Sequence, residues 1–157
     1  MPARIIDGLT GLKSLVNQEV GVSEWFEVSQ SLIDRFAEVT GDRQWIHVDP
    51  ERAKTESPYG TTIAHGFLTL SLLSRLHRDV VQVQGEFSRA VNYGLNRVRF
   101  PAAVPAGARI RLHSTLHEIE DIDGGVQCTW DLTMEVEGQT KPALVAQWVG
   151  RLYRGIR

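Results

Sequence analysis

Hydrophobic positions recur at helical spacing up to about residue 80 and alternate with polar ones after about residue 85. Leu9, Leu12, Leu15 and Val16 predict a short surface helix over residues 8–18. Trp25 and Phe26 give residues 24–28 the β propensity of an edge strand. Ser29 reads as an N-cap before the stripe Leu32, Ile33, Phe36, Ala37 and Val39, and Thr40-Gly41 closes that helix. Asp49-Pro50 opens another helix, a capping side chain followed by proline at the first helical position. Ser57-Pro58-Tyr59-Gly60 breaks it.

The next helix, over residues 65–79, is apolar on all sides. Phe67, Leu70, Ser71 and Ser74 share one face, and Leu68, Leu72, Leu73 and Leu76 the other. A helix apolar all round is expected to be buried. Two hydroxyls on one face then imply that this face meets something polar.

The second half reads as strands. Ile110, Leu112 and Leu116 alternate with Arg109, Arg111, His113 and His117 over residues 108–117, and residues 121–125 form a turn. Val126, Cys128, Trp130, Leu132, Met134 and Val136 then alternate with polar residues at every second position. Glu137-Gly138-Gln139 turns again, and residues 143–153 make a last strand that is apolar on both faces. Such a strand is central in its sheet or covered by a second subunit. An earlier strand over residues 96–100 stops at Pro101. Helices segregated from strands predict an α+β fold, with an antiparallel sheet curled against one long buried helix.

Composition narrows the function. The 157 residues suit one domain spanning 1–157, and 42% hydrophobic with 23% charged residues is globular rather than disordered. A net charge of −2 lacks the basic footprint of a nucleic-acid binder. No apolar run is long enough to span a membrane, and residues 1–7 lack a signal peptide's apolar core. The single cysteine, Cys128, excludes an internal disulfide and a Cys-rich zinc site; it falls on an apolar strand face, as a core residue would. A cytoplasmic domain is expected.

Two stretches carry candidate chemistry. In Gly41-Asp42-Arg43-Gln44-Trp45-Ile46-His47-Val48-Asp49-Pro50, Asp42 and His47 lie between two predicted helices and are free to converge. A carboxylate and an imidazole beside an apolar pocket form a general acid–base pair. The plainer alternative is that Asp42 caps a backbone and His47 fills a polar loop. In Gly60-Thr61-Thr62-Ile63-Ala64-His65-Gly66-Phe67-Leu68, Gly66 falls at a helix N-terminus, where bare N–H groups can hold a developing oxyanion. The alternative there is a glycine that relieves packing. His65 reads as an orienting or packing residue, and His77, His113 and His117 carry no clear chemistry. No metal-ligand spacing, Gly-x-Ser-x-Gly elbow or phosphate loop is present.

Together these stretches resemble the MaoC-like, or (R)-specific enoyl-CoA hydratase, family. Its motif runs Asp-x-Asn-Pro-x-His-x-Asp, then an alanine, then an apolar pair before His-Gly-Met-Leu. Asp42, His47, Asp49, Ala53 and Ile63-Ala64-His65-Gly66 match, with Phe67 in place of Met and Gln44-Trp45 in place of Asn-Pro. Asn92-Tyr93-Gly94-Leu95-Asn96 before Arg97-Val98-Arg99-Phe100-Pro101 is similar to the NodN-type branch.

The resemblance implies a hot-dog fold, a homodimer that continues the sheet, and reversible syn addition of water to a trans-2-enoyl-CoA, giving an (R)-3-hydroxyacyl-CoA. Asp42 and His47 would be the acid–base pair and the Gly66 N–H the oxyanion donor. Ser74 would fix a member of the pair or the bound water, with His65, Ile63, Gln44 and Trp45 beside the substrate. No cofactor is expected beyond the coenzyme A thioester itself. A same-fold acyl-CoA thioesterase would attack the carbonyl carbon instead, and a non-catalytic acyl-thioester-binding subunit would need neither Asp42 nor His47. The intact pair argues against both.

Overall fold

Chain order is β1 (Arg4–Asp7), α1 (Gly8–Lys13), β2 (Gln18–Val22), β3 (Phe26–Glu27), α2 (Gln30–Thr40), α3 (Trp45–Val48) and α4 (Pro50–Glu56). The second half holds α5 (Gly66–Ser71), α6 (Leu73–Val80), β4 (Val81–Gln84), β5 (Phe87–Arg99), β6 (Arg109–Ile122), β7 (Gly125–Val136) and β8 (Leu144–Arg154). This is a computed structural model, and it describes residues 2–155.

The predicted caps are in place. Ser29 Oγ accepts the Leu32 N–H at 3.2 Å. Gly41 ends α2 with φ +78°, a left-handed conformation that favours glycine. Asp49 Oδ1 accepts the Arg52 N–H at 3.0 Å, so this motif aspartate is a cap for α4.

Six strands form an antiparallel sheet in the order β2-β6-β7-β8-β5, with β3 also on β6. The registers Leu112↔Met134, Leu116↔Trp130 and Leu132↔Ala146 carry the period-2 apolar residues of β6, β7 and β8 onto one face. Leu68, Leu72, Leu73 and Leu76 of α5 and α6 join them in one core. Leu72 keeps right-handed dihedrals and bonds to Leu68 and Leu76, so α5 and α6 continue through it as one rod. An antiparallel sheet against a central helix is the hot-dog arrangement expected from the motif. Among the described residues no helix is long and apolar enough to cross a membrane.

Several expectations need correction. The central helix is not buried all round: Phe67 is 69% exposed, and Ser71 and Ser74 also face outward. The side that carries Leu68, Leu72, Leu73, Leu76 and His77 meets the sheet. The helix of residues 8–18 is six residues long, and Leu12 and Leu15 belong to the core rather than to a surface helix. The strand of residues 24–28 shrinks to two residues, and β2 before it carries most of that pairing to β6.

The strand of residues 96–100 begins at Phe87 instead. Its outward-facing run, including Val91, Tyr93 and Leu95, has no buried alternation to read. β1 and β4, a separate parallel pair, were not predicted at all. β8 is an interior strand between β7 and β5, which accounts for its two apolar faces.

Candidate active site

The left-handed turn at Gly41 throws Asp42 clear of α2, and its exposed carboxylate accepts the Gln44 N–H at 3.4 Å. One helical turn, α3, then delivers His47 inward, to 9% exposure. His47 Nδ1 lies 2.7 Å from the Ile63 carbonyl oxygen. A carbonyl only accepts, so Nδ1 carries the proton and Nε2 keeps the free lone pair. Gln30 Nε2 donates to the His47 carbonyl at 2.7 Å, and its Oε1 accepts the Thr62 hydroxyl. This tether ties α2 to both site segments. It meets His47 at the backbone carbonyl and Thr62 at the hydroxyl, and neither Gln30 nor Thr62 belongs to the motif.

His65 stands at the N-cap of α5, and its Nε2–H donates to the Asp42 main-chain oxygen at 2.9 Å. Its ring stacks on His47 with centroids 3.8 Å apart and planes at 25°, while Phe36 closes on it at 5.0 Å. Asp42, His47 and His65 each offer an atom within 4.8 Å of the others. Three such groups can in general hold a metal. Here the two imidazoles are stacked, and stacked rings do not aim their in-plane lone pairs at one point. Proton transfer suits the arrangement better.

Burial holds the His47 pKa below the ordinary histidine value, and His65 pushes the same way. The Ile63 bond and the Asp42 charge oppose this and are outweighed. His47 is therefore neutral, and basic at Nε2, near neutral pH.

Gly66 opens α5, and its N–H has no partner among the described residues, whereas those of Leu68 and Thr69 bond to the His65 carbonyl. A Cβ added at Gly66 would meet the Phe100 ring at 3.4 Å. Phe100, the residue just after β5, is a neighbour that the motif does not include.

The remaining candidates divide. Ile63 joins the cluster through its carbonyl. Gln44 sits at the start of α3, and the Trp45 ring lies under the Arg52 guanidinium at 4.3 Å. His65, placed beside the substrate by the motif, is 3% exposed and instead backs the pair from behind. Ser74 makes no hydrogen bond to the cluster. It lies eight residues beyond Gly66, roughly 12 Å along the helix, and lines a separate cavity of about 640 Å³ with His77, Trp130 and Trp148.

The side chains outside the cluster are accounted for structurally. His113 bridges Glu19 and Glu135, and His117 pairs with Asp131. Cys128 is buried, its thiol pushed up to about 12 by desolvation.

A hot-dog fold with a carboxylate–imidazole pair at the mouth of its central helix defines the class, a hydro-lyase of the MaoC type. Residues 12–137 match the family described as MaoC like domain, and the chain belongs to that family. It is 50% identical over 149 residues to the 3-hydroxyacyl-thioester dehydratase Z of Mycobacterium tuberculosis, covering 94% of this chain and 97% of that one. It is 46% identical to Nodulation protein N of Rhizobium leguminosarum bv. viciae, over 90% of this chain and 88% of the relative, in keeping with the NodN-type motif. The fold matches the unliganded R-hydratase of Pseudomonas aeruginosa with a TM-score of 0.69 at 21% identity, over 89% of this chain and 83% of that one.

Proposed function

We propose that the chain is an (R)-specific enoyl-CoA hydratase, adding water reversibly to a trans-2-enoyl-CoA to give the (R)-3-hydroxyacyl-CoA. The observation that carries this reading is the free, basic Nε2 of His47 in one cluster with the exposed Asp42 carboxylate. Hydration needs a base to activate water at Cβ, an acid to protonate Cα, and a donor for the thioester enolate. Asp42 and His47 share the first two tasks, and the unpartnered Gly66 N–H is the donor. The names of the relatives, a 3-hydroxyacyl-thioester dehydratase among them, support the same chemistry run in either direction. It asks for no cofactor.

The reading includes a homodimer. β5 is an edge strand with Val91, Tyr93 and Leu95 exposed, and a second copy pairing there would continue the sheet.

The test is loss of the enoyl absorbance of crotonyl-CoA, with the product's configuration read by (R)- and (S)-specific dehydrogenases. Turnover to the (R) product is expected. Release of free coenzyme A would instead point to a thioesterase. Binding of crotonyl-CoA without turnover would point to a binding subunit.

A further inference from the structure

His65 is touched by both members of the pair and is almost shut off from solvent. Its Nε2–H holds the Asp42 carbonyl at 2.9 Å, and its ring face lies against His47 at 3.8 Å, so one side chain joins the acid–base loop at two points. The Phe36 ring, tilted 56° with its centroid 5.0 Å away, packs against the imidazole as well. Meanwhile Nδ1 is buried with no hydrogen-bond partner. A buried polar atom without a partner is costly, and few survive in native proteins without a reason. Phenylalanine would fill the same space with no orphaned nitrogen. Packing alone therefore does not account for a histidine here.

We propose that His65 is a positioning residue, an imidazole clamp that sets the separation of the Asp42 carboxylate and His47 Nε2 before substrate arrives. The inference rests on the acid–base reading of Asp42 and His47 given above. Asp42 sits on a loop beyond a helix end, and its own carboxylate makes only a 3.4 Å contact with the Gln44 N–H. Without the clamp, Asp42 keeps only contacts of 3.4 Å, to the Gln44 N–H and from its own N–H to the Thr40 hydroxyl.

Two variants separate the two contacts. His65→Phe keeps a ring against His47 and loses the donor; His65→Gln keeps a donor and loses the stack. Crotonyl-CoA hydration is measured for both beside the wild type, with kcat normalised to the folded fraction from circular dichroism. A clamp predicts that kcat of His65→Phe falls about 10- to 100-fold, the scale of a small misplacement of reacting groups. KM should stay within about threefold, since His65 does not touch substrate.

Full normalised kcat in His65→Phe would overturn the clamp and leave the hydratase reading standing. So would a loss matched by the fall in folded protein. If His65→Phe does not fold, His65→Gln decides in the same way: a fall in normalised kcat at constant KM supports the clamp, and wild-type kcat overturns it. A wild-type chain that does not hydrate crotonyl-CoA would overturn both.

Discussion

The rings of His77 and Trp130 cross at 71° with their centroids 4.4 Å apart, and Trp148 closes a second side at 5.2 Å. His77 Nδ1 lies 3.2 Å from the Ser114 hydroxyl. Enclosed in this way, the imidazole is too poorly solvated to charge, and its pKa falls from 6.5 to about 4.

That depression has a stability consequence with a definite sign. Between pH 6.5 and about 4 the unfolded chain binds a proton at His77 that the native chain refuses. Stability at this residue is therefore intact above pH 6.5, falls as pH falls through the window, and levels off below about 4. The loss amounts to roughly 3 kcal/mol in all. Urea unfolding across this range, for wild type and His77→Gln, should show a shallower pH slope in the variant. Equal slopes would mean that another group dominates.

Asp42→Asn and His47→Gln should each lower hydration by about 10²- to 10⁴-fold, the usual contribution of a positioned acid or base. Their stabilities should differ. Asp42 is exposed, and its variant should melt as the wild type does. His47 is nearly buried and donates to Ile63, so His47→Gln should lose about 1 kcal/mol. Wild-type turnover in either would remove that residue from the pair.

Gly66→Ala brings a methyl to ordinary contact with Phe100, at 3.4 Å, and suits a helix, so its stability and activity should stay near wild type. Gly66→Val adds branched bulk where the thioester oxygen would approach, and should lose kcat beyond its loss of stability. If kcat and melting temperature fall in proportion, Gly66 is a packing glycine and the oxyanion assignment goes.

Light scattering at micromolar concentration should give twice the 17.6 kDa chain mass. Lysines in place of Val91 and Leu95 on β5 should return a folded monomer, because charge on an edge strand opposes pairing. A wild-type monomer would refute the shared sheet.

The elements legible in the sequence are those whose local chemistry matches their tertiary surroundings. Ser29, Gly41 and Asp49-Pro50 act through neighbours in the chain, and β7 alternates because one of its faces is core. Asp42 and His47 were readable as a motif. What could not be read depends on distant partners. β5 is exposed along most of its length, and β1 and β4 are four-residue strands that pair only with each other. His65 sits next to Gly66 in sequence, yet its depth comes from Phe36 and His47. Ser74 matched the motif's spacing, but the rise of the helix carries it away from its own cluster.

The β1–β4 ladder ties Arg4 to Val81 and Asp7 to Gln84, and Ile6 is buried beneath it. During synthesis the first strand therefore leaves the ribosome with no partner, and stays so until the whole helical half has followed. β2 waits longer still, since Gln18 pairs with Leu116. β1 and β2 are thus locked late, although each is made well before the strand it pairs with. Contacts this distant slow folding, because loop closure must precede the pairing that rewards it.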